Sequence, residues 1–447
     1  MLPRPSLPPG PYLIVGLARS GVAAALALRA RGEKVTGADS GAVAPERRAE
    51  LEAAGVAVHD GSSGVELLGG IETVVKSPGV PAQAPVVAAA RAAGATVTGE
   101  LELGWRLVPN EFVAVTGSNG KTTTVELVGH LHRAAGLPAV VVGNVGTPLS
   151  SLAGGGLDAA ATVVCEASSF QLEDTERFAP DAGVLLNLAE DHLDRHGTFD
   201  AYRAAKLEVF ARQPPGTVAV APEELVAAGL PGEGERVLFG TGPGARMAAR
   251  DGALWWDGAR LLAFEELGLR GPHNRLNAMA AAAVALARGM APAAVREGLS
   301  SFAGVAHRLE EVATVDGVLY VNDSKATNVA SALAGLASFE GGVHVILGGR
   351  GKGGDYTPLA APVAERARAG YLIGETANEL AAALAPAGVP LHQCGDLEQA
   401  LAAARAAARP GEVVLLSPAC ASFDQYADYE ARGRHFRELV EGPAAAC

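Results

Sequence analysis

Phe112-Val-Ala-Val-Thr-Gly-Ser-Asn-Gly-Lys-Thr-Thr123 is the stretch on which the fold turns. A buried-type apolar run, Phe112–Thr116, ends in a glycine loop, and a helix-forming stretch, Thr123–Ala135, follows. Strand, glycine loop and Gly-Lys-Thr before a helix form a phosphate loop. Its backbone N–H groups cradle phosphates, Lys121 neutralises the β/γ oxygens, and the Thr122 hydroxyl can bind Mg²⁺. The loop is a short variant: two residues separate Gly117 from Gly120, and Val115 holds the usual first-glycine position. So flexible a loop is a costly joint unless it serves a ligand. It predicts a triphosphate site made by Gly117, Ser118, Asn119, Gly120, Lys121, Thr122 and Thr123.

Acidic groups for the metal are expected at the ends of neighbouring strands. The run Ala161–Cys165 ends in Glu166, a plausible Mg²⁺ carboxylate. Gly183–Leu186 leads into Asn187-Leu-Ala-Glu-Asp-His-Leu-Asp-Arg-His196. His192 and His196 have the i,i+4 spacing of a zinc pair, but the general-base Glu of a zinc protease is missing. Lys206, in Tyr202-Arg-Ala-Ala-Lys206, reads by its surroundings as a helix-surface lysine.

Outward from the loop, short β-branched runs alternate with Ala/Leu-rich helical stretches, the pattern of βαβ units and a parallel sheet. Tyr12–Val15, His344–Leu347 and Val413–Leu416 read as further strands. Val22–Ala30, Ala278–Arg288 and Ala377–Ala385 read as helices. Breaks near Trp105–Asn110 and Ser300–Gly304 divide the chain into three α/β modules. The expected fold class is α/β: a Rossmann-like N-terminal domain over 1–106, a central P-loop ATPase-like domain with a mainly parallel sheet over 107–302, and a Rossmann-like C-terminal domain over 303–447.

The first module carries a second glycine turn, Gly16-Leu-Ala-Arg-Ser-Gly21, after the strand Tyr12–Val15. Ala18 replaces the middle glycine of a dinucleotide fingerprint, and Asp39 follows 18 residues after Gly21. Such a turn sets a helix N-terminus against a diphosphate, with an acid for a ribose hydroxyl. By itself it fits a dinucleotide, another nucleotide diphosphate or a structural turn equally well. Lys76-Ser-Pro-Gly-Val80 adds a rigid turn at a strand's C-terminal edge, where open α/β sheets bind ligands.

Composition narrows the partners. The 447 residues include 36 Lys and Arg against 49 Asp and Glu, a net charge of −13, which argues against nucleic acid or an anionic membrane. The cysteines, Cys165, Cys394, Cys420 and Cys447, form no CxxC pair, so they read as small buried thiols. The Pro-rich start predicts no signal peptide, and the longest charge-free stretch is broken by prolines and glycines. No membrane association is expected, and a cytoplasmic location is.

The ordered motifs Thr116-Gly-Ser-Asn-Gly-Lys-Thr, Glu166-Ala-Ser-Ser-Phe-Gln-Leu-Glu173, Asn187-Leu-Ala-Glu-Asp-His-Leu-Asp194, Tyr202-Arg-Ala-Ala-Lys206 and His273-Asn-Arg-Leu-Asn-Ala278 resemble those of the Mur ligases. His307-Arg308, Asn322–Asn328, Leu347–Gly354 and Leu416–Tyr426 extend the resemblance over essentially the whole chain and point to the D-glutamate-adding branch. The resemblance implies ATP-dependent ligation of D-glutamate to UDP-N-acetylmuramoyl-L-alanine through an acyl phosphate, in the cytoplasmic stage of peptidoglycan biosynthesis. It implies that domain 1–106 binds the UDP substrate, 107–302 binds ATP and 303–447 binds the amino acid, in a monomer.

On this resemblance Arg19, Ser20, Asp39, Ser77 and Gly79 would contact the UDP moiety, and Asn144 and Gln171 the sugar and lactyl-alanine side. Two Mg²⁺ ions are implied, the first on Thr122 and Glu166, the second on His192 and a carbamylated Lys206. Lys121, His192 and Lys206 would be catalytic. Asn274 and Asn277 would meet adenine, Arg308 the phosphates and Asp323 the ribose. Lys325, Thr327, Lys352, Ser422 and Phe423 would surround D-glutamate. Other readings remain at this stage. One is another amide ligase of the superfamily, with a different Mur acceptor, L-glutamate, or a folylpolyglutamate synthase-like substrate. A dinucleotide oxidoreductase fits only Gly16–Gly21 and Asp39. A non-catalytic nucleotide-binding protein would not need Lys206, Asp323 and Ser422.

Overall fold

The structure is a computed structural model that describes residues 2–269, 271–351 and 353–442. Among these residues the strands form three sheets. The first contains β1 (Tyr12–Val15), β2 (Val35–Asp39), β3 (Ala57–Asp60), β4 (Thr73–Lys76) and β5 (Thr96–Gly99), ordered β3-β2-β1-β4-β5 with every pair parallel. The strand order reverses between β1 and β4, which leaves a crevice at their carboxyl ends.

The second sheet contains β6 (Phe112–Thr116), β7 (Ala139–Gly143), β8 (Thr162–Glu166), β9 (Ala182–Leu185), β10 (Val218–Pro222), β11 (Glu235–Gly240), β12 (Met247–Arg250), β13 (Ala253–Trp256) and β14 (Ala259–Ala263). Its order is β14-β13-β12-β11-β10-β9-β6-β8-β7, parallel from β7 to β12 and antiparallel beyond. The phosphate-loop strand β6 lies between β8 and β9, so Glu166 at the end of β8 and Asn187 just beyond β9 flank the loop. The third sheet contains β15 (Glu310–Val315), β16 (Val318–Asn322), β17 (Val343–Gly348), β18 (Ala367–Ile373), β19 (Leu391–Gly395) and β20 (Val413–Leu416). It is ordered β15-β16-β20-β17-β18-β19, and only the β15/β16 pair is antiparallel.

Internal contacts group the chain into two compact units, Met1–Leu267 with Leu276–Ser301, and Gly268–Arg275 with Phe302–Cys447. The first holds the first two sheets and the second holds the third. No described helix is long and apolar enough to cross a membrane.

The stretch Trp105–Asn110 holds the end of a helix, Glu100–Leu107, and the connection to β6. Leu101 and Trp105 face the core of the second sheet, whereas Leu103 and Leu107 face that of the first. Trp105 packs edge-on to Phe178 at 5.6 Å between ring centroids. The helix carries Glu100, Glu102 and Arg106, but both carboxylates are buried and bonded within the protein, Glu100 accepting from Ser150 N at 2.7 Å and Glu102 from Phe178 N at 2.9 Å. In the sequence its lone aromatic and following Pro109-Asn110 read as a linker.

Candidate active site

The phosphate loop depends on two left-handed glycines. Gly117 has φ +153° and Gly120 φ +84°. A Cβ on Gly120 would stand 2.1 Å from Asn277 Oδ1, so the side chain of Asn277 lies directly against the loop. The helix Lys121–Ala134 starts at the lysine, with Gly120 as N-cap. Its free N–H groups therefore open onto the loop. Asn187 clamps the loop from β9: its Oδ1 accepts from Asn119 N at 2.9 Å and its Nδ2 donates to Asn119 O at 3.1 Å. Ser118 Oγ pairs with Tyr202 OH at 2.8 Å and accepts from Ala189 N at 2.9 Å. The roles of Asn187 and Tyr202 in holding the loop were missed by the sequence reading, although both lie inside motifs it singled out.

Thr122 Oγ1 donates to Glu166 Oε2 at 2.7 Å, and Asn144 Nδ2 donates to Glu166 Oε1 at 3.1 Å. Lys121 Nζ lies 2.9 Å from the carbonyls of both Gly117 and Ser118. Lys206 is not the surface lysine that its sequence surroundings suggest. It is 2% exposed and donates to Gly117 O at 2.8 Å. Burial, and then the neighbouring Lys121 charge, pull its amine down to about 7, against the pull of Asp191 and Glu166. The helix Phe199–Ala211 buries Tyr202, Ala205, Lys206, Val209 and Phe210 on one face. That stripe at helical spacing includes the lysine and was the signal that could have found it.

His192 caps the short helix Leu193–His196 from a left-handed backbone, φ +53°. Its ring stands 4.8 Å from Phe170 and its side chain is half exposed. His196 stacks on the same Phe170 ring at 5.4 Å, with Nε2 at 3.0 Å from Ser169 Oγ.

A cavity of about 580 Å³ lies at the carboxyl ends of β1 and β4. It gathers Arg19, Ser20, Asp39, Ser77 and Gly79 from the first sheet's loops with Asn144 and Gln171 from the second. Gly16 has φ +86°, and a Cβ on Gly21 would stand 1.9 Å from Gly16 O, so both glycines are required. Ala18 has φ −76°, which explains why alanine serves in the middle position. Asp39 accepts from Leu17 N at 2.7 Å and Gly41 N at 2.9 Å, and Ser77 Oγ donates to Gly16 O at 2.6 Å.

Within the second unit, Asp323 is buried and accepts from Ser417 Oγ at 2.8 Å and Leu309 N at 3.3 Å. Burial raises its carboxyl to about 7, opposed by the Ser417 hydrogen bond and the Arg308 charge. Asn274 is buried, and Lys325 Nζ stands 5.3 Å over the Tyr429 ring. Thr327 N donates to Lys325 O. Ser422 is buried and Phe423 is exposed. Lys352 lies outside the described residues. Its neighbour Arg350 exchanges two backbone hydrogen bonds with Ala421, at 2.9 and 3.0 Å, which brings the Gly348–Gly354 loop to the segment that carries Ser422. Beneath both, the buried Arg432 donates to Ser324 O at 2.9 Å and Cys420 O at 3.1 Å. Arg432 was also missed; it shares the buried face of the helix Tyr429–Glu441 with Gly433, Phe436 and Val440.

Comparison with known families matches residues 11–99 to the Mur ligase MurD-like N-terminal domain, 115–285 to the Mur ligase middle domain and 307–420 to the Mur ligase glutamate ligase domain. The chain belongs to the Mur ligase family. A UDP-N-acetylmuramoylalanine--D-glutamate ligase of Koribacter versatilis is 42% identical over 439 residues, 96% of each chain. One of Anaeromyxobacter dehalogenans is 44% identical over 459 residues, again 96% of each. The UDP-N-acetylmuramate-alanine ligase of Thermotoga maritima shares the fold at 21% identity, with a TM-score of 0.60 and coverage of 96% of this chain and 99% of that one. The Thermotoga maritima MurF ligase, solved with ADP, aligns with a TM-score of 0.59 at 17% identity, covering 91% and 94%.

Mur ligases are ATP-dependent, and this Mur ligase has a donor set suited to a hard divalent cation. The Thr122 hydroxyl and the Glu166 carboxylate stand side by side at the start of a helix. No group of three or more His, Cys, Asp or Glu among the described residues is placed to hold a metal ion. Phosphate oxygens and water would therefore complete the coordination, as is usual for Mg²⁺.

Proposed function

We propose that this Mur ligase joins D-glutamate to UDP-N-acetylmuramoyl-L-alanine with ATP cleavage, in the cytoplasmic stage of peptidoglycan assembly. One observation carries the reading: curated D-glutamate ligases match at 42–44% identity over 96% of the chain, a span that includes the phosphate loop, the cavity and the C-terminal segments. Domain 1–106 would take the UDP substrate, 107–302 ATP and 303–447 the amino acid. The enzyme would act as a monomer.

Arg19, Ser20, Asp39, Ser77 and Gly79 would line the UDP end of the cavity, with Asn144 and Gln171 toward the sugar and its lactyl-alanine arm. The substrate carboxylate attacks the γ-phosphate, two anions that repel each other. Lys121 and the loop N–H groups offset that repulsion where the transition state is most negative. Arg308 adds charge at the phosphates, Asn274 and Asn277 hold adenine, and Asp323 holds the ribose. Thr122 and Glu166 would hold one Mg²⁺, and His192 with a carbamylated Lys206 a second. These ions would supply positive charge against the phosphates. An amine near neutrality is needed for a lysine to take up CO₂, and the burial of Lys206 supplies it. The attack yields an acyl phosphate. Lys325, Thr327, Lys352, Ser422 and Phe423 surround D-glutamate, and Lys325, Lys352 and Ser422 hold its carboxylates, so that its neutral amine reaches the acyl carbon and phosphate leaves.

The test is phosphate release from ATP, Mg²⁺ and UDP-N-acetylmuramoyl-L-alanine with a panel of D- and L-amino acids. Release that requires D-glutamate supports the reading. Faster release with L-glutamate or another amino acid would leave only a general amide ligase.

A further inference from the structure

Arg195 has no part in the roles above. It sits three residues after His192, on the short helix Leu193–His196. Its guanidinium donates to Pro78 O at 2.6 Å and to Val80 O at 3.4 Å. It pairs with Glu173 at 2.6 Å and lies 4.0 Å over the Phe170 ring. Pro78, Gly79 and Val80 form one wall of the 580 Å³ cavity. On its other side, Phe170 stands 4.8 Å from the His192 ring. One planar group therefore touches both the nucleotide-end wall and the ring that backs His192.

Charge holds the wall in addition to the apolar packing of Val80 on the core of the first sheet. Lys76, fully buried, donates to the same Val80 carbonyl at 3.0 Å and pairs with Asp174 at 2.5 Å. Two cations converge on the Pro78–Val80 backbone, and Glu173 and Asp174 balance them. Charge-assisted bonds of this kind are strong and geometrically specific, and a guanidinium fork can satisfy two carbonyls and a carboxylate together. A lysine ammonium cannot also stack flat on Phe170.

We propose that Arg195 is a positioning residue that ties the Ser77–Val80 wall of the nucleotide cavity to His192, so that one side chain sets both substrate affinity and the response to Mg²⁺. The inference rests on the proposed function. The test uses the full chain with Arg195→Lys and Arg195→Ala. Three quantities are measured: Kd for UDP-N-acetylmuramoyl-L-alanine by calorimetry without ATP, the Mg²⁺ concentration for half-maximal phosphate release, and the unfolding temperature. In Arg195→Lys, Kd should rise about tenfold and the Mg²⁺ midpoint several-fold, with the unfolding temperature nearly unchanged. Arg195→Ala should move both further. Movement of only one quantity, of neither, or of both only in step with lost thermal stability in the Lys variant overturns the proposal. A parent enzyme that does not bind the UDP substrate would overturn the proposed function and this inference together. A parent that binds it and a Lys variant that matches the parent would overturn this inference alone.

Discussion

Gly16–Gly21 and Gly117–Lys121 each carry a buried strand into a helix N-terminus, and each has a positive-φ glycine where the strand ends. They differ in what surrounds the turn. The first is stabilised by acceptors turned inward: Asp39 takes two backbone N–H groups and Gly16 O takes the Ser77 hydroxyl. It opens into a roomy cavity. The second is crowded with titratable groups: Lys121, Lys206 and Glu166 lie on or beside it. On the proposed function, the same backbone plan serves a binding end and a reacting end. Helix N-termini offer a generic anion site, and the side chains decide whether bonds are broken there.

If that division is right, the largest effect belongs to the charged turn. Lys121→Ala should cut ligation by about 100-fold or more, as expected for losing one preorganised charge at the transition state. Calorimetry should find UDP-N-acetylmuramoyl-L-alanine binding unchanged. Turnover within tenfold of the parent would break the comparison, as would an equal loss of UDP-substrate affinity.

Lys206→Ala comes next: losing a proposed metal ligand should cost at least the roughly 10–100-fold that losing an outer-shell partner costs. Acetate should restore part of it by filling the anion position. The parent's pH profile gives a second reading. With an amine near 7, the neutral fraction falls about tenfold from pH 8 to pH 6, so activity should fall with it at fixed dissolved CO₂. The folded value lies below the ordinary 10.5. The buried amine therefore costs stability in full below about pH 7, and the cost fades as pH rises toward 10.5. An active, metal-loaded enzyme whose mass shows an unmodified Lys206 would remove this carbamate.

Strands were the legible part of the fold. Tyr12–Val15, Phe112–Thr116 and Val413–Leu416 are found where their apolar runs place them, because a strand buried on both faces is written as a continuous hydrophobic segment. Helix starts were less legible. The expected helices Val22–Ala30 and Thr123–Ala135 begin at Arg19 and Lys121, since their first turns carry polar residues that serve the loops. The antiparallel β12–β14 extension was not anticipated. At the site, a residue such as Lys121 announces itself by its glycine neighbours. Lys206, Arg195 and Arg432 do not, because their importance comes from burial and from carbonyls that the fold delivers from distant segments.

A smaller effect separates the glycines of the first turn. Gly21→Ala would force a Cβ to 1.9 Å from a backbone carbonyl, which no side-chain adjustment relieves. Overpacking of this kind costs about 1–3 kcal/mol. The unfolding temperature should drop, and UDP-substrate affinity should weaken about tenfold. Ala18→Gly should be nearly silent by both measures, since Ala18 already has an unstrained φ. Equal effects from the two substitutions would mean that the turn's geometry is not what binds.

The smallest expected effect is the sharpest probe of independence. In Asp39→Asn one side-chain oxygen still accepts, but the new amide must face one of the two backbone N–H groups, at Leu17 or Gly41. A donor then meets a donor. Asp39 is only partly buried, so water relieves much of the mismatch and the net loss should be about 1 kcal/mol. That corresponds to about fivefold in Kd for UDP-N-acetylmuramoyl-L-alanine. Two opposing contributions decide the sign. Removing a negative charge near a diphosphate helps binding, whereas losing the carboxylate as a ribose acceptor and as the brace of the turn hurts it. The brace should win because both oxygens are already committed to backbone donors, so the loop itself changes shape when they go. The KM for ATP should stay where it is, since none of the Asp39 bonds reaches Gly117–Thr123. Tighter UDP-substrate binding would show that charge outweighs the brace, and a matching rise in the KM for ATP would show that the two turns do not act separately.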